Sequence, residues 1–200
     1  SDDQGAIDVF GNPLYRGNII RWNFFHDIGI PGLHMAAGIR LDDAICGFCI
    51  YENLFLRSSN NLFGGIQVHG GNDNYIEGNI FSDCHAAISQ SPWGDKRWVS
   101  TLTEKGHPVS IALNFYDWKS DLWQNRYPAL KNLTTGGTDR NYAVDNLLIN
   151  GKSIFLRASP KFQSLNNAMI TKKQVLNQPS DYKKYVGPWQ SFPLDKIGPY

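Results

Sequence analysis

Residues 38–55, GIRLDDAICGFCIYENLF, decide the fold, because their pattern recurs on both sides of them. Gly38-Ile39-Arg40-Leu41 lies in frame with Gly65-Ile66-Gln67-Val68 and with Gly5-Ala6-Ile7-Asp8-Val9. Each copy has a small residue and then aliphatics at every second place, which is the signature of a strand. A second segment follows each copy, with an aliphatic residue, an Asn three places on and then a bulky apolar residue. The instances are Ile20/Asn23/Phe25, Ile50/Asn53/Phe55 and Ile76/Asn79/Phe81, with a weaker copy at Ala143/Asn146/Leu148. From Asn23 to Asn53 is 30 residues and from Asn53 to Asn79 is 26, a period of solenoid coils and not of hairpins. The strands therefore stack in parallel, and the chain reads as an all-β, right-handed parallel β-helix. Each coil of such a helix buries its aliphatics against its neighbours and is not stable alone. Asn in one fixed frame predicts a corner column, in which stacked amides satisfy one another at the ~4.8 Å strand spacing.

Composition agrees with that architecture. Two hundred residues with 42% hydrophobic content suffice for one core. The formal net charge is +1 and there is no basic run, so nothing in the electrostatics points to nucleic acid. No window has the length of a membrane span and no signal peptide opens the chain. Ser1 lies a few residues before a fully formed rung, so further coils are expected upstream, the chain being read as the C-terminal portion of a longer β-helix. Cys46 and Cys49 form a Cys-x-x-Cys, but a metal site needs a second pair and a redox motif needs a strand-to-helix context. With Cys84 they read as small buried apolar residues, and no metal or cofactor is expected.

The coils are expected over residues 1–176, interrupted by an excursion at about 92–140, with an extended tail at 177–200 packed on the solenoid. After Pro92 the repeat breaks, and Trp93, Trp98, Trp118 and Trp123 crowd into the interruption. One or two helical turns are expected between residues 111 and 131, ending near Tyr127-Pro128. A loop this long is either functional or a cap on the solenoid. Its aromatics can stack on sugars or bury the loop, and burial is the reading preferred for most of them.

Asp3-Gln4-Gly5-Ala6-Ile7, then Gly17-Asn18-Ile19-Ile20-Arg21-x-Asn23-Phe24-Phe25-His26-Asp27-Ile28, then Gly38-Ile39-x-Leu41-Asp42-Asp43 closely resemble bacterial right-handed β-helix proteins that include glycoside hydrolase family 141. His69-Gly70-Gly71-Asn72-Asp73-Asn74, the Trp123-x-x-Arg126-Tyr127-Pro128 stretch and the ending Pro193-Leu194-Asp195-Lys196-Ile197-Gly198 also look like that group, so the resemblance covers nearly the whole chain. It departs at Arg40, where an aromatic residue is common, and over residues 8–12. The resemblance implies a secreted or periplasmic carbohydrate-active protein acting on a polysaccharide or oligosaccharide, with Asp3 and the Asp42-Asp43 pair at the positions of the catalytic carboxylates.

The rung pattern bears on the same residues. Stacking the frames places Asp8, Arg40, Gln67 and Ser89 in one outward column and Asp42 and His69 in a second, with Arg40 and Asp42 facing solvent and Leu41 facing the core. Asp42 with His69, and Asp8 with Arg40, can form charge-assisted pairs; the alternative is a solvated face with incidental ion pairs. Glycoside hydrolysis needs one protonated and one ionised carboxyl across the scissile bond. Adjacent strand residues point to opposite sides, so only one of Asp42 and Asp43 meets Asp3 unless the strand ends at Asp42 and the corner turns Asp43 outward. Asp42 is the first choice. His69 would orient it, and Asp8, Arg40 and Gln67 would bind the sugar. Carboxyls tilted outward on neighbouring coils are expected at the longer, inverting separation. A polysaccharide lyase and a non-catalytic glycan-binding β-helix are the competing readings.

Overall fold

The computed structural model describes residues 2–29, 35–173 and 177–185. Each coil is made of three short strands. The first sheet stacks β1 (Gln4–Phe10), β4 (Ala36–Asp42), β7 (Ile66–His69), β10 (Ala86–Ser91) and β13 (Ser153–Leu156) in that order. The second stacks β2 (Ile19–Arg21), β5 (Cys49–Tyr51), β8 (Tyr75–Glu77), β11 (Tyr142–Val144) and β14 (Gln163–Leu165). The third stacks β3 (Phe24–His26), β6 (Leu54–Leu56), β9 (Ile80–Ser82), β12 (Leu147–Ile149) and β15 (Ala168–Ile170). Neighbours within each sheet pair in parallel, with Ile7, Ile39, Ile66 and Ile88 in one column. The molecule is a parallel β-helix in the register that the repeat predicts.

Its interior is built from side chains of the same kind lying over one another. Ile39, Leu41, Ile50, Phe55, Ile66, Val68, Ile76 and Phe81 are all fully buried. The rings of Phe25, Phe55 and Phe81 stack with centroids 4.8 and 4.7 Å apart. This stack explains the small residue that opens each rung. A Cβ on Gly38 would sit 2.7 Å from the Phe55 ring, and one on Gly65 would sit 2.7 Å from the Phe81 ring.

The asparagine column is a continuous ladder. Asn23 Nδ2 donates to Asn53 Oδ1, Asn53 to Asn79 and Asn79 to Asn146, each at 3.0 Å, and Asn146 donates to Asn167 at 2.8 Å. The backbone N–H of Asn53 also donates to Asn79 Oδ1, and its Nδ2 reaches the carbonyl of Ile20 in the coil before. The residue ahead of each ladder member, Trp22, Glu52, Gly78, Asp145 or Asn166, has φ between 52° and 61°, and there the chain turns from the second sheet to the third. A second ladder was not foreseen. Asn74 Nδ2 donates to Asn141 Oδ1 at 3.0 Å, and Asn74 Oδ1 accepts the N–H of Phe48, pinning the corner between the first and second sheets.

The interruption enters at that corner of the fourth coil, between β10 and β11. It is more helical than expected, with α1 (Gly94–Thr103), α2 (Pro108–Asn114), α3 (Asp121–Arg126) and a 3-10 turn at Pro128–Asn132. Trp98, Thr101 and Leu102 of α1 are buried at helical spacing, the periodicity that the tryptophan content masked. Trp93, Trp98 and Trp118 are buried in a cluster with Leu14, Ala44 and Cys46 of the corner, while Trp123 is half-buried at its edge. The excursion is thus anchored as a cap. Cys46 and Cys84 are buried free thiols, which burial pushes up to about 11. The described part of the tail differs from the extended chain expected, forming a 3-10 segment at Pro179–Tyr185. Its Tyr182 is fully buried against Leu54, Ile80, Leu147 and Ile149 on the outside of the third sheet. The remaining expectations for the tail, including the motif at residues 193–198, lie outside the described residues.

The ladder fixes a stability expectation. Asn53→Ala removes a fully buried amide, leaves the Asn23 N–H without its acceptor and takes one donor each from Asn79 Oδ1 and the Ile20 carbonyl. Its cost should be about 1–3 kcal/mol, the contribution of one orphaned buried group. Denaturant melts showing no loss would mean that the column does not hold the corner.

Candidate functional site

Asp3 just ahead of β1, Asp8 within it, the C-terminal half of β4 with the corner after it, and the end of β7 converge on one charged cluster. Pairing aligns Asp8 with Arg40, Arg40 with Gln67 and Gln67 with Ser89, the outward column read from the repeat. Arg40 is the hub. Its Nη2 lies 2.9 Å from Asp3 Oδ1 and 2.8 Å from Asp42 Oδ2, and its Nη1 lies 3.3 Å from Asp8 Oδ2. One guanidinium therefore joins three carboxylates from two coils, a charge-assisted arrangement of the strong kind.

Asp42 and Asp43 reach the same side of the wall. β4 ends at Asp42, and Asp43 and Ala44 both take positive φ, at 44° and 69°, which turns the Asp43 side chain back beside its neighbour. Both carboxylates meet His69. Its Nδ1 lies 2.8 Å from Asp42 Oδ1 and 3.0 Å from Asp43 Oδ1. The edge of the cluster is set by the excursion. Trp93 packs edge-to-face on His69 with centroids 5.4 Å apart, and Gly70 is required beneath it, since a Cβ there would lie 2.6 Å from the indole. The backbone N–H groups of Trp93 and Gly94 both donate to the buried carboxylate of Asp139. Arg97 stacks on the other part of that indole, 4.2 Å from its centroid.

Apart from Asp8, the first column is outward but not open to solvent, and neither is Asp42 in the column beside it, contrary to the expectation for Arg40 and Asp42. The Arg40 side chain is 12% exposed and its Nε is buried without a partner among the described residues. Gln67 is fully covered. Its Nε2 donates to Ser91 Oγ at 3.0 Å, and its Oε1 accepts from the Ser89 hydroxyl. Gln67 thus braces the wall from beneath, and Asp8 and Arg40 are engaged with each other. The groups of the cluster that reach solvent best are Asp3, about half exposed, and Asp8, whose side chain is 32% exposed, followed by His69 at 26%.

Burial alone lowers the proton affinity of His69, but hydrogen bonds to Asp42 and Asp43 and the charges of both carboxylates outweigh it. The net effect raises its pKa from 6.5 to about 9. The hydrogen bond from His69 is also the main reason that Asp43 is held below its ordinary value. At neutral pH the ring is an imidazolium clamped at Nδ1, and its Nε2 makes no hydrogen bond to any described residue. Such a group can hold a proton at a fixed place and deliver it outward. Arg40 also bounds the spacing of the carboxyls. Asp3 and Asp42 contact the same nitrogen, so their nearest oxygens are no further apart than the sum of 2.9 and 2.8 Å. The longer separation expected from outward tilt is not seen there, because a shared cation draws the two side chains together.

Asp42, Asp43 and His69 are also the one group among the described residues with donor atoms close enough for a metal ion, all within 4.8 Å of one another. Their ligand atoms are already satisfied by one another, and Arg40 and His69 supply the positive charge that the two carboxylates call for. Arg97 and Asp139 were not singled out from sequence, and Trp93 was read only as one of the aromatics of the interruption, not as a neighbour of His69. They reach the site only through the tertiary packing of the excursion, which leaves no mark on spacing.

Titration of His69 makes a measurable contribution. Because its folded pKa lies above its unfolded value, its stabilisation is complete below pH 6.5 and is lost as pH rises through about 9. Denaturant melts across that window should show stability falling in the parent chain and a flatter profile in His69→Gln. Parallel profiles would mean that His69 is not charged in the fold. No family model, curated protein or solved structure matches the chain.

Proposed function

We propose that the chain is a carbohydrate-active protein, a glycoside hydrolase of the kind found in family 141, that binds a polysaccharide or oligosaccharide against the first sheet and cleaves it at the Asp3–Arg40–Asp42–Asp43–His69 cluster. The observation that carries this reading is the hydrogen-bonded Asp42–His69–Asp43 unit with its outward Nε2, facing an exposed Asp3 across one guanidinium. In this proposal the unit supplies the proton to the glycosidic oxygen as the bond to the anomeric carbon breaks. Asp3 stands as the second carboxyl, its oxygen bonding to the anomeric carbon as the leaving group departs with the proton; water then displaces Asp3 and gives its proton to the unit, while Arg40 holds the two parts in register. The upper bound on the Asp3–Asp42 spacing supports the shorter, retaining arrangement of ~5–5.5 Å over the inverting one of ~6.5–9.5 Å. Action outside the cytoplasm, in a secreted or periplasmic setting, belongs to the same proposal.

A second reading has one observation in its favour. Arg40 already pairs with Asp3, Asp8 and Asp42, so the cluster can equally be a rigid polar wall on which a glycan rests without being cut. The experiment that separates the two is product analysis on a panel of plant and host glycans, with the parent chain beside Asp42→Asn. Hydrolysis requires free reducing ends from at least one glycan, and Asp42→Asn should retain binding while losing ~10²–10⁴ in turnover. Proton NMR of the first product should show the anomeric configuration retained. Full turnover in Asp42→Asn would remove the assignment, and binding with no product from any glycan would establish the second reading.

A further inference from the structure

A cleft of about 300 Å³ opens where the third coil's corner meets the end of the excursion, lined among others by Asn72, Asp73, Leu133, Thr135, Gly136 and Arg140. It shares no residue with the Asp42–His69 cluster. Its back is built from one carboxylate held between two guanidiniums. Asp73 takes Arg16 on one carboxylate oxygen at 2.9 Å and Arg140 on the other at 2.8 Å. Arg16 is held inside, its side chain 5% exposed, and it fixes the Asp73 carboxylate from behind. Arg140 is held from the front, is 51% exposed and keeps guanidinium N–H groups free of any bond within the described residues.

One group in the lining is out of balance. Asn72 is 6% exposed, yet its side-chain amide makes no hydrogen bond within the described residues, and its Oδ1 is wholly buried. The Oδ1 is sealed from the cleft, so it is the Nδ2 donor, which reaches the surface without a partner within the described residues, that an occupant of the cleft would satisfy. The nearby groups say what kind. Arg140 offers donors, Asp73 and Thr135 offer acceptors, and Leu133 offers an apolar surface beside them. A lone anion entering the cleft would meet the Asp73 carboxylate, and a lone cation would meet Arg140 and Arg16. A neutral ring with hydroxyl groups at its edge and C–H groups on its face meets neither penalty. The volume lies at the small end of ligand sites, which limits the occupant to about one ring.

We propose that this cleft binds one neutral sugar residue, giving the protein a second point of attachment to a glycan. The ligand class rests on the carbohydrate reading above, whereas the site itself stands on its own geometry. The test is a titration of the full chain with glucose, galactose, mannose, fucose and xylose, with glucuronate and inorganic sulfate as controls, followed by backbone amide NMR. At least one neutral sugar should shift the amide signals of Asp73, Gly136 and Gly137. Arg140→Ala, at an exposed position, should weaken that binding at least about tenfold, as for loss of a charged hydrogen-bond donor. Thr135→Trp, which fills the mouth from an exposed position, should abolish it, and Asp42→Asn should leave it unchanged. The proposal is overturned if no neutral sugar shifts these signals, if only glucuronate or sulfate does, or if binding survives both cleft variants. Loss of the hydrolase reading through inactive glycans would leave these shifts intact, so the two failures are distinguishable.

Discussion

Amide side chains bonded to the next copy of themselves hold the corners of this molecule, and the other columns take their register from them. A parallel sheet of three-residue strands has few ladder bonds per strand, so the turns between sheets must be fixed by something else. Asn23, Asn53, Asn79 and Asn146 do this by giving Nδ2 to the next Oδ1 while the backbone N–H reaches the same oxygen, and Asn167 accepts at the end of the column. The phenylalanine stack and the glycines that make room for it then follow as matters of fit.

The polar wall inherits that register. Because Asp8 and Arg40 are paired residues on adjacent strands, their side chains meet without a dedicated loop, and the same offset brings His69 against Asp42. What the coils alone cannot provide is a boundary. The excursion provides it by laying Trp93 against His69 and tying the start of α1 to Asp139, a carboxylate far along the chain but close in space.

The parts of the molecule that repeat were readable from the sequence, and the parts that do not repeat were not. Period and alternation located all the rungs from Gln4 to Leu148 and the Asp8–Arg40–Gln67 and Asp42–His69 columns, since each is a direct consequence of stacking. Whether an outward residue reaches water depends on what lies over it. Gln67 is covered and Arg40 nearly so, and neither fact has a signature in spacing. The second ladder escaped because it holds only Asn74 and Asn141, with Phe48 at the same place in the coil before, so no run of asparagines marks a period. The side to which Asp43 points depends on two consecutive left-handed residues, Asp43 and Ala44, the second of which is unusual there for an alanine.

The placement of the excursion also bears on how the chain reaches this state. In the first three coils each corner amide finds its partner 26 or 30 residues away, a short loop to close. The Asn74–Asn141 and Asn79–Asn146 contacts each span 67 residues. Loop-closure entropy grows with the logarithm of length, so the longer span by itself adds less than ~1 kcal/mol. The earlier coils can zip from neighbour to neighbour, but the fourth meets the third across the whole helical insert, so the step from β10 to β11 closes a loop more than twice as long as any other along the ladder.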